Sequence, residues 1–198
     1  MAISLTVQEL SDALSLYSSK GNVPMMRKLI SMGANPNYNS SLPLVCAIEN
    51  NQPVAVYFLI SKGANPSNGL FAAAKTNNID ILNILLDKGA LISDPNIIKG
   101  AILGNNPNIL LFAISKGAEI PLPNDVDSSF ESPYTLALQS GNDEIIKIVQ
   151  DHLLFAPLVD INKIELIKTL VKLESSLDPN LYPNYYNWIN SFIEKSLK

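Results

Sequence analysis

Two stretches decide the fold: Leu29-Ile30-Ser31-Met32-Gly33-Ala34-Asn35-Pro36-Asn37 and Leu59-Ile60-Ser61-Lys62-Gly63-Ala64-Asn65-Pro66-Ser67. Each ends an apolar helical pattern in the same stop signal, a glycine followed by alanine and asparagine. Degenerate copies run from Leu85 to Ser93 and from Ala113 to Pro121, and a fifth, without the glycine, ends near Leu153. Recurrence at this interval means that one supersecondary unit is stacked repeatedly.

Working outward, each unit reads as two helices and a connection. A column of Gly21, Asn51, Asn77, Asn105 and Gly141 is predicted to start the second helix, with Gly33, Gly63, Gly89 and Gly117 twelve residues later. Upstream lie short first helices at Asp12 to Ser19, Leu42 to Glu49, Asn68 to Lys75, Asn96 to Leu103 and Ser132 to Gln139. Small residues on them (Cys46-Ala47, Ala72-Ala73-Ala74, Gly100-Ala101) would let neighbouring pairs approach closely. Second helices carry larger residues at i, i+3, i+4 spacing, such as Met26, Leu29 and Ile30, or Ile81, Ile84 and Leu85, a stripe that buries one face. Prolines 24, 43, 53, 95, 107 and 133 fall in first turns, where a missing N–H costs nothing. Thr6 and Glu9 have capping-box spacing.

These motifs resemble the ankyrin-repeat family. Ser132-Pro133-Tyr134-Thr135-Leu136-Ala137-Leu138-Gln139-Ser140-Gly141 follows the family's Thr-Pro-Leu-His-Leu-Ala-Ala-x-x-Gly, and Leu42-Pro43-Leu44-Val45-Cys46-Ala47-Ile48 is a second instance. The Gly-Ala-Asn-Pro-Asn endings are similar to the family's Gly-Ala-Asp-Val-Asn. The resemblance implies an all-α, ankyrin-type helical repeat solenoid: five helix pairs over residues 1–153, then a degenerate sixth repeat and a C-terminal capping helix over 154–198, in one continuous body. The cap is the face carrying Tyr185, Trp188, Ile189 and Phe192. Two departures stand out. The family's period is about 33 residues, whereas the column positions here advance by 30, 26, 28 and 36. Connections in the middle are therefore too short for a full β-hairpin. The family's histidine is missing from every copy (Ser15, Val45, Phe71, Lys99, Thr135), and with it the usual inter-repeat hydrogen bonds.

Composition bounds the function. With 198 residues, 47% hydrophobic and 16% charged, the chain is too apolar for disorder. A formal charge of −4 argues against nucleic acid as the partner. No apolar run approaches the roughly 20 residues of a membrane span, and Gln8, Glu9 and Asp12 interrupt any secretory signal core. One cysteine excludes an internal disulfide and fits a reducing, cytoplasmic setting, or a host cytosol for an effector. Cys46 and His152 are the single cysteine and histidine; in this register they lie on the order of 30 Å apart, three helix layers of about 10 Å each. Neither a Cys–His nucleophile nor a zinc set can be built from them. Cys46 itself, at a core column, is expected to be a buried small hydrophobe. The sequence predicts no catalytic residue, cofactor or metal.

What remains is surface. In ankyrin-type arrays the partner lies in a concave groove lined by the hairpins and first helices. Carried onto this chain, the resemblance assigns protein binding to Lys20, Glu49, Asn50, Lys75, Thr76, Leu103, Gln139 and Ser140. The connection from Ala118 to Glu131 is overlong, and acid gathers around it: residues 118–160 carry one basic and eight acidic groups, against eight and six in residues 1–117. Asp125, Asp127 and Glu131 have two readings: a solvated, solubilising loop, or, with Phe130 as anchor, an acidic finger that steers a basic partner. The expected function is a non-enzymatic, monomeric protein–protein interaction scaffold. The alternative is an adaptor or host-directed effector whose C-terminal helices recruit a second protein.

Overall fold

Each stop signal closes a helix by the same hydrogen-bond pattern. At the second, the Gly63 N–H donates to Ile60 O and the Ala64 N–H to Leu59 O, both at 3.0 Å, with Gly63 at φ +92°. This is a Schellman motif, and its left-handed position suits a residue without Cβ. The alanine that follows is buried in every copy (Ala34, Ala64, Ala90, Ala118), which is why the signal reads Gly-Ala.

The computed structural model describes residues 5–120 and 132–155, the side chains of 153–155 excepted. Among the described residues the structure is all helical. Five helices form a first row: α1 (Val7–Ser19), α3 (Tyr38–Glu49), α5 (Leu70–Lys75), α7 (Pro95–Leu103) and α9 (Pro133–Ser140). Their partners are α2 (Val23–Ser31), α4 (Pro53–Ser61), α6 (Ile79–Asp87), α8 (Pro107–Ser115) and α10 (Asp143–Phe155), and a 3-10 turn, Pro66–Gly69, precedes α5. The chain divides into two compact units, Met1–Ile148 and Val149–Lys198. In the first, α1 packs on α3, α3 on α5, α5 on α7 and α7 on α9, while α2 packs on α4 and α4 on α6. Each of α1, α3, α5 and α7 also packs on the helix that follows it, so the unit is a repeat-like stack of helix pairs. Of the second unit, the described part is the end of α10; the expected sixth repeat and capping helix lie outside the described residues.

Leu14, Met26, Leu44, Ile48, Leu59, Leu70, Ile81, Leu85, Ile97 and Ile102 are fully buried between layers, each contributing about 1.5–3 kcal/mol. Close approach of first helices is real and has a visible cause. A Cβ on Gly100 would lie 2.6 Å from Phe71 O and 2.9 Å from the Ala74 Cβ, so α7 meets α5 backbone against side chain. Polar atoms in the core are bonded: Ser11, Ser15 and Ser18 each donate to a carbonyl one turn back (Val7, Ser11, Leu14). Thr6 and Glu9 form the expected capping box on α1.

Three sequence expectations change. The column Gly21, Asn51, Asn77, Asn105, Gly141 does not start the second helices; it ends the first ones. All five residues are left-handed, at φ +64°, +51°, +57°, +57° and +65°. At Asn51 the bonds Asn51 N–H to Ile48 O and Gln52 N–H to Ala47 O, both 2.9 Å, form another Schellman motif. Glycine and asparagine alternate there because they tolerate that conformation. The second helices begin two residues later, after Asn22, Gln52, Asn78 and Asn106 as N-caps. Second, first-helix starts shift: α1 begins at Val7 rather than Asp12 and α5 at Leu70 rather than Asn68, while α3 begins before Leu42 but with Asn39, Ser40 and Ser41 all left-handed (φ +46°, +54°, +64°), so its right-handed part still starts at Leu42, with Pro43 in its first turn. Third, Cys46 is half-buried rather than buried.

Candidate interaction surface

A ladder of side-chain amides links successive layers. The Asn78 side chain accepts from Ile81 N–H as an N-cap and donates to Asn51 Oδ1 at 2.8 Å, linking the turns of the second and third repeats. Asn106 donates to the carbonyls of Ala74 (2.8 Å) and Lys75 (2.9 Å), and Asn142 to Asn105 Oδ1 (2.6 Å). On the other end of the layers, Asn37 donates to Gly63 O (2.6 Å) and accepts from Asn65 N–H (2.9 Å), while Asn68 donates to Ser41 Oγ (3.0 Å). Amide bonds thus join the second repeat to the third, the third to the fourth and the fourth to the fifth at one edge, and the first two stop-signal connections at the other, which fixes the spacing of what these helix ends display.

The residues assigned to binding sit at those ends. Lys20, Asn50 and Thr76 cap α1, α3 and α5; Glu49, Lys75 and Leu103 are the last residues of α3, α5 and α7. All six are exposed, and Leu103 retains 46% of its surface. Several are already engaged. The Asn50 amide donates to Cys46 O, and Thr76 Oγ1 donates to Ala72 O. The Lys20 and Lys75 ammonium groups lie 5.8 and 5.9 Å from the ring centroids of Tyr17 and Phe71. Gln139 is exposed, whereas Ser140 is half-buried: it donates to Ala137 O and accepts from Asn142 N–H, which makes it a capping residue. Asp125, Asp127, Phe130 and Glu131 lie outside the described residues.

The structure brings Glu49 and Thr76 together in the wall of an open cleft of about 480 Å³, with Asn51, Asn77, Asn78, Asp80 and Asn108. Sequence reasoning missed the cleft's asparagines. Their signal was present as a left-handed Gly/Asn column followed by an Asn/Gln column, the pair of residue types that stops one helix and starts the next. Lys75 and Leu103 occupy adjoining layers at close quarters, since a Cβ on Gly104 would strike Lys75 O. Beneath Glu49, burial and then the Glu49 carboxylate push the Cys46 thiol above its ordinary pKa, so it stays neutral.

Among the described residues, no three His, Cys, Asp or Glu side chains gather where a metal ion would be held. No described helix is long and apolar enough to cross a membrane.

No protein-family model matches the chain. In an alignment 154 positions long that covers 67% of the chain, it is 30% identical to the human transient receptor potential cation channel subfamily A member 1. That stretch is 14% of the channel protein, so the chain spans about a seventh of its relative's length. The comparison therefore gives a distant likeness to part of one large protein, carried by a chain whose described body is a stack of helix pairs.

Proposed function

We propose that this chain is an ankyrin-type repeat solenoid whose work is to hold a protein partner on the ends of its first helices. One observation carries the reading: exposed side chains of mixed character, Glu49, Lys75 and Leu103, recur at the same register on successive layers that inter-repeat amide bonds hold at fixed spacing, with Lys20 one position further on in the first layer. Such a surface displays many weak contacts without an ordering cost on binding, and a few of them set the affinity. The repeated Gly-Ala-Asn endings and the likeness to a stretch of the channel protein support the family reading. The acidic finger of Asp125, Asp127, Phe130 and Glu131 belongs to this proposal as the element that steers a basic partner.

The test is affinity capture from lysate with the full chain and with a Glu49→Lys/Lys75→Glu/Leu103→Asp variant whose helical content and melting match the wild type. A partner that the wild type retains and the variant loses supports the proposal. Identical capture by both overturns it. Neutralising Asp125, Asp127 and Glu131 tests the finger separately: association with the captured partner slows and its salt dependence flattens.

A further inference from the structure

Along the second-helix row, cations lie over aromatic rings both within a helix and across to a neighbouring one. The guanidinium of Arg27, on α2, lies 5.3 Å from the ring centroid of Phe58, on α4, and the Lys62 ammonium reaches the same ring at 5.8 Å. One layer on, the Lys88 ammonium, at the end of α6, lies 5.6 Å from the Tyr57 ring of α4. Lys116 lies 5.8 Å from Phe112 at the equivalent end of α8. Lys62, Lys88 and Lys116 share one position, the residue before the stop glycine. Among the described residues none of these four cations has an ion pair, although Asp80 and Asp87 sit on α6. A lysine at a helix C-terminus is favoured by the helix dipole alone. That does not explain why each cation is also laid over an aromatic ring, nor why Arg27 and Lys88 reach across to a neighbouring layer. Beside them runs a cleft of about 440 Å³ lined by Tyr57, Phe58, Ile60, Ser61 and Lys88.

We propose that this row is a second docking surface, for an acidic, extended segment of a partner protein, with Arg27, Lys62, Lys88 and Lys116 as its anion-binding groups and Tyr57 as its apolar contact. Charge complementarity sets the sign of the occupant. The geometry sets its form: the charged ends of Arg27, Lys62 and Lys88 gather on the adjacent Phe58 and Tyr57 rings of α4, with Lys116 on α8, so closely spaced acidic side chains of an open chain meet them together. A single-stranded nucleic acid fits less well, because stacking needs open ring faces and Phe58 is buried beneath Arg27 and Lys62. This surface is independent of the first-helix ends.

The test is fluorescence anisotropy at low ionic strength with the full chain and a labelled fifteen-residue peptide carrying glutamate at every third position, with serine and glycine between. Saturable binding is expected, weakened at least tenfold by Lys62→Glu/Lys88→Glu and retained by Lys62→Arg/Lys88→Arg, with circular dichroism unchanged in both. A peptide with all glutamates replaced by glutamine is expected not to bind. The proposal is overturned by absence of saturable binding, by an affinity that charge reversal leaves unchanged, or by tighter binding of a fifteen-nucleotide oligothymidylate than of the peptide.

Discussion

The side-chain amide of Asn78 bridges two repeats: its oxygen caps α6 through Ile81 N–H while its nitrogen donates to the Oδ1 of Asn51 at 2.8 Å. Asn51 holds the left-handed position that ends α3, so one residue pair couples the end of one helix, the start of another and the spacing between layers. Asn78→Ala loses both bonds and should cost about 1–2 kcal/mol. Asn78→Asp keeps the cap but cannot donate to Asn51, and should cost about half as much. Urea denaturation separates them; an Asn78→Ala variant as stable as the wild type would mean that neither bond contributes.

Gly63 and Gly100 are required for different reasons. At Gly63, φ is +92° and an added Cβ meets nothing within 4 Å, so Gly63→Ala should cost about 1 kcal/mol from backbone conformation alone. Gly100→Ala drives a Cβ into Phe71 O and the Ala74 Cβ and should cost about 1–3 kcal/mol by overpacking. Denaturation midpoints should rank Gly63→Ala above Gly100→Ala, and Gly63→Asn should recover part of the first loss.

Three successive left-handed residues, Asn39, Ser40 and Ser41, store strain, since the conformation costs roughly 1–2 kcal/mol at a residue with a Cβ. Ser41 is buried and bonded to Asn37 and Asn68, but Ser40 is exposed. Ser40→Gly should therefore raise stability by about 0.5–1 kcal/mol, read as a higher urea midpoint with an unchanged slope.

The Glu9 carboxylate accepts from the Thr6 backbone N–H and hydroxyl, both at 2.8 Å, and these bonds hold its pKa below the ordinary 4.5. A carboxyl whose folded pKa is lowered contributes stability that is complete above its unfolded value and is lost as pH falls through the folded one. The capping contribution should therefore persist at neutral pH and vanish below 4.5. Carboxyl chemical-shift titration should give Glu9 a midpoint below those of other exposed glutamates, and Thr6→Ala should return it to the ordinary range.

Helix pairs, their boundaries within a few residues and the small-residue face of the first helices were legible in the sequence, because Gly-Ala punctuation and apolar spacing are local signals. The role of the Asn51 column was not, because a left-handed stop at the end of one helix and a start for the next fall on neighbouring residues and look alike in one dimension. Cys46 misled for a related reason: the alanine beside it, Ala47, takes the buried place, and a turn of about 100° per residue moves Cys46 toward the edge.

By itself the sequence determined a stacked array of helix pairs, since a Gly/Asn stop and an apolar stripe repeated in register leave each unit a face that only a neighbour can bury. Only the tertiary structure decided what joins the layers and what they display. Hydrogen bonds such as Asn78 to Asn51, and cations laid on rings such as Arg27 on Phe58, connect residues about 30 positions apart, and such partners are chosen by packing geometry rather than by any local pattern.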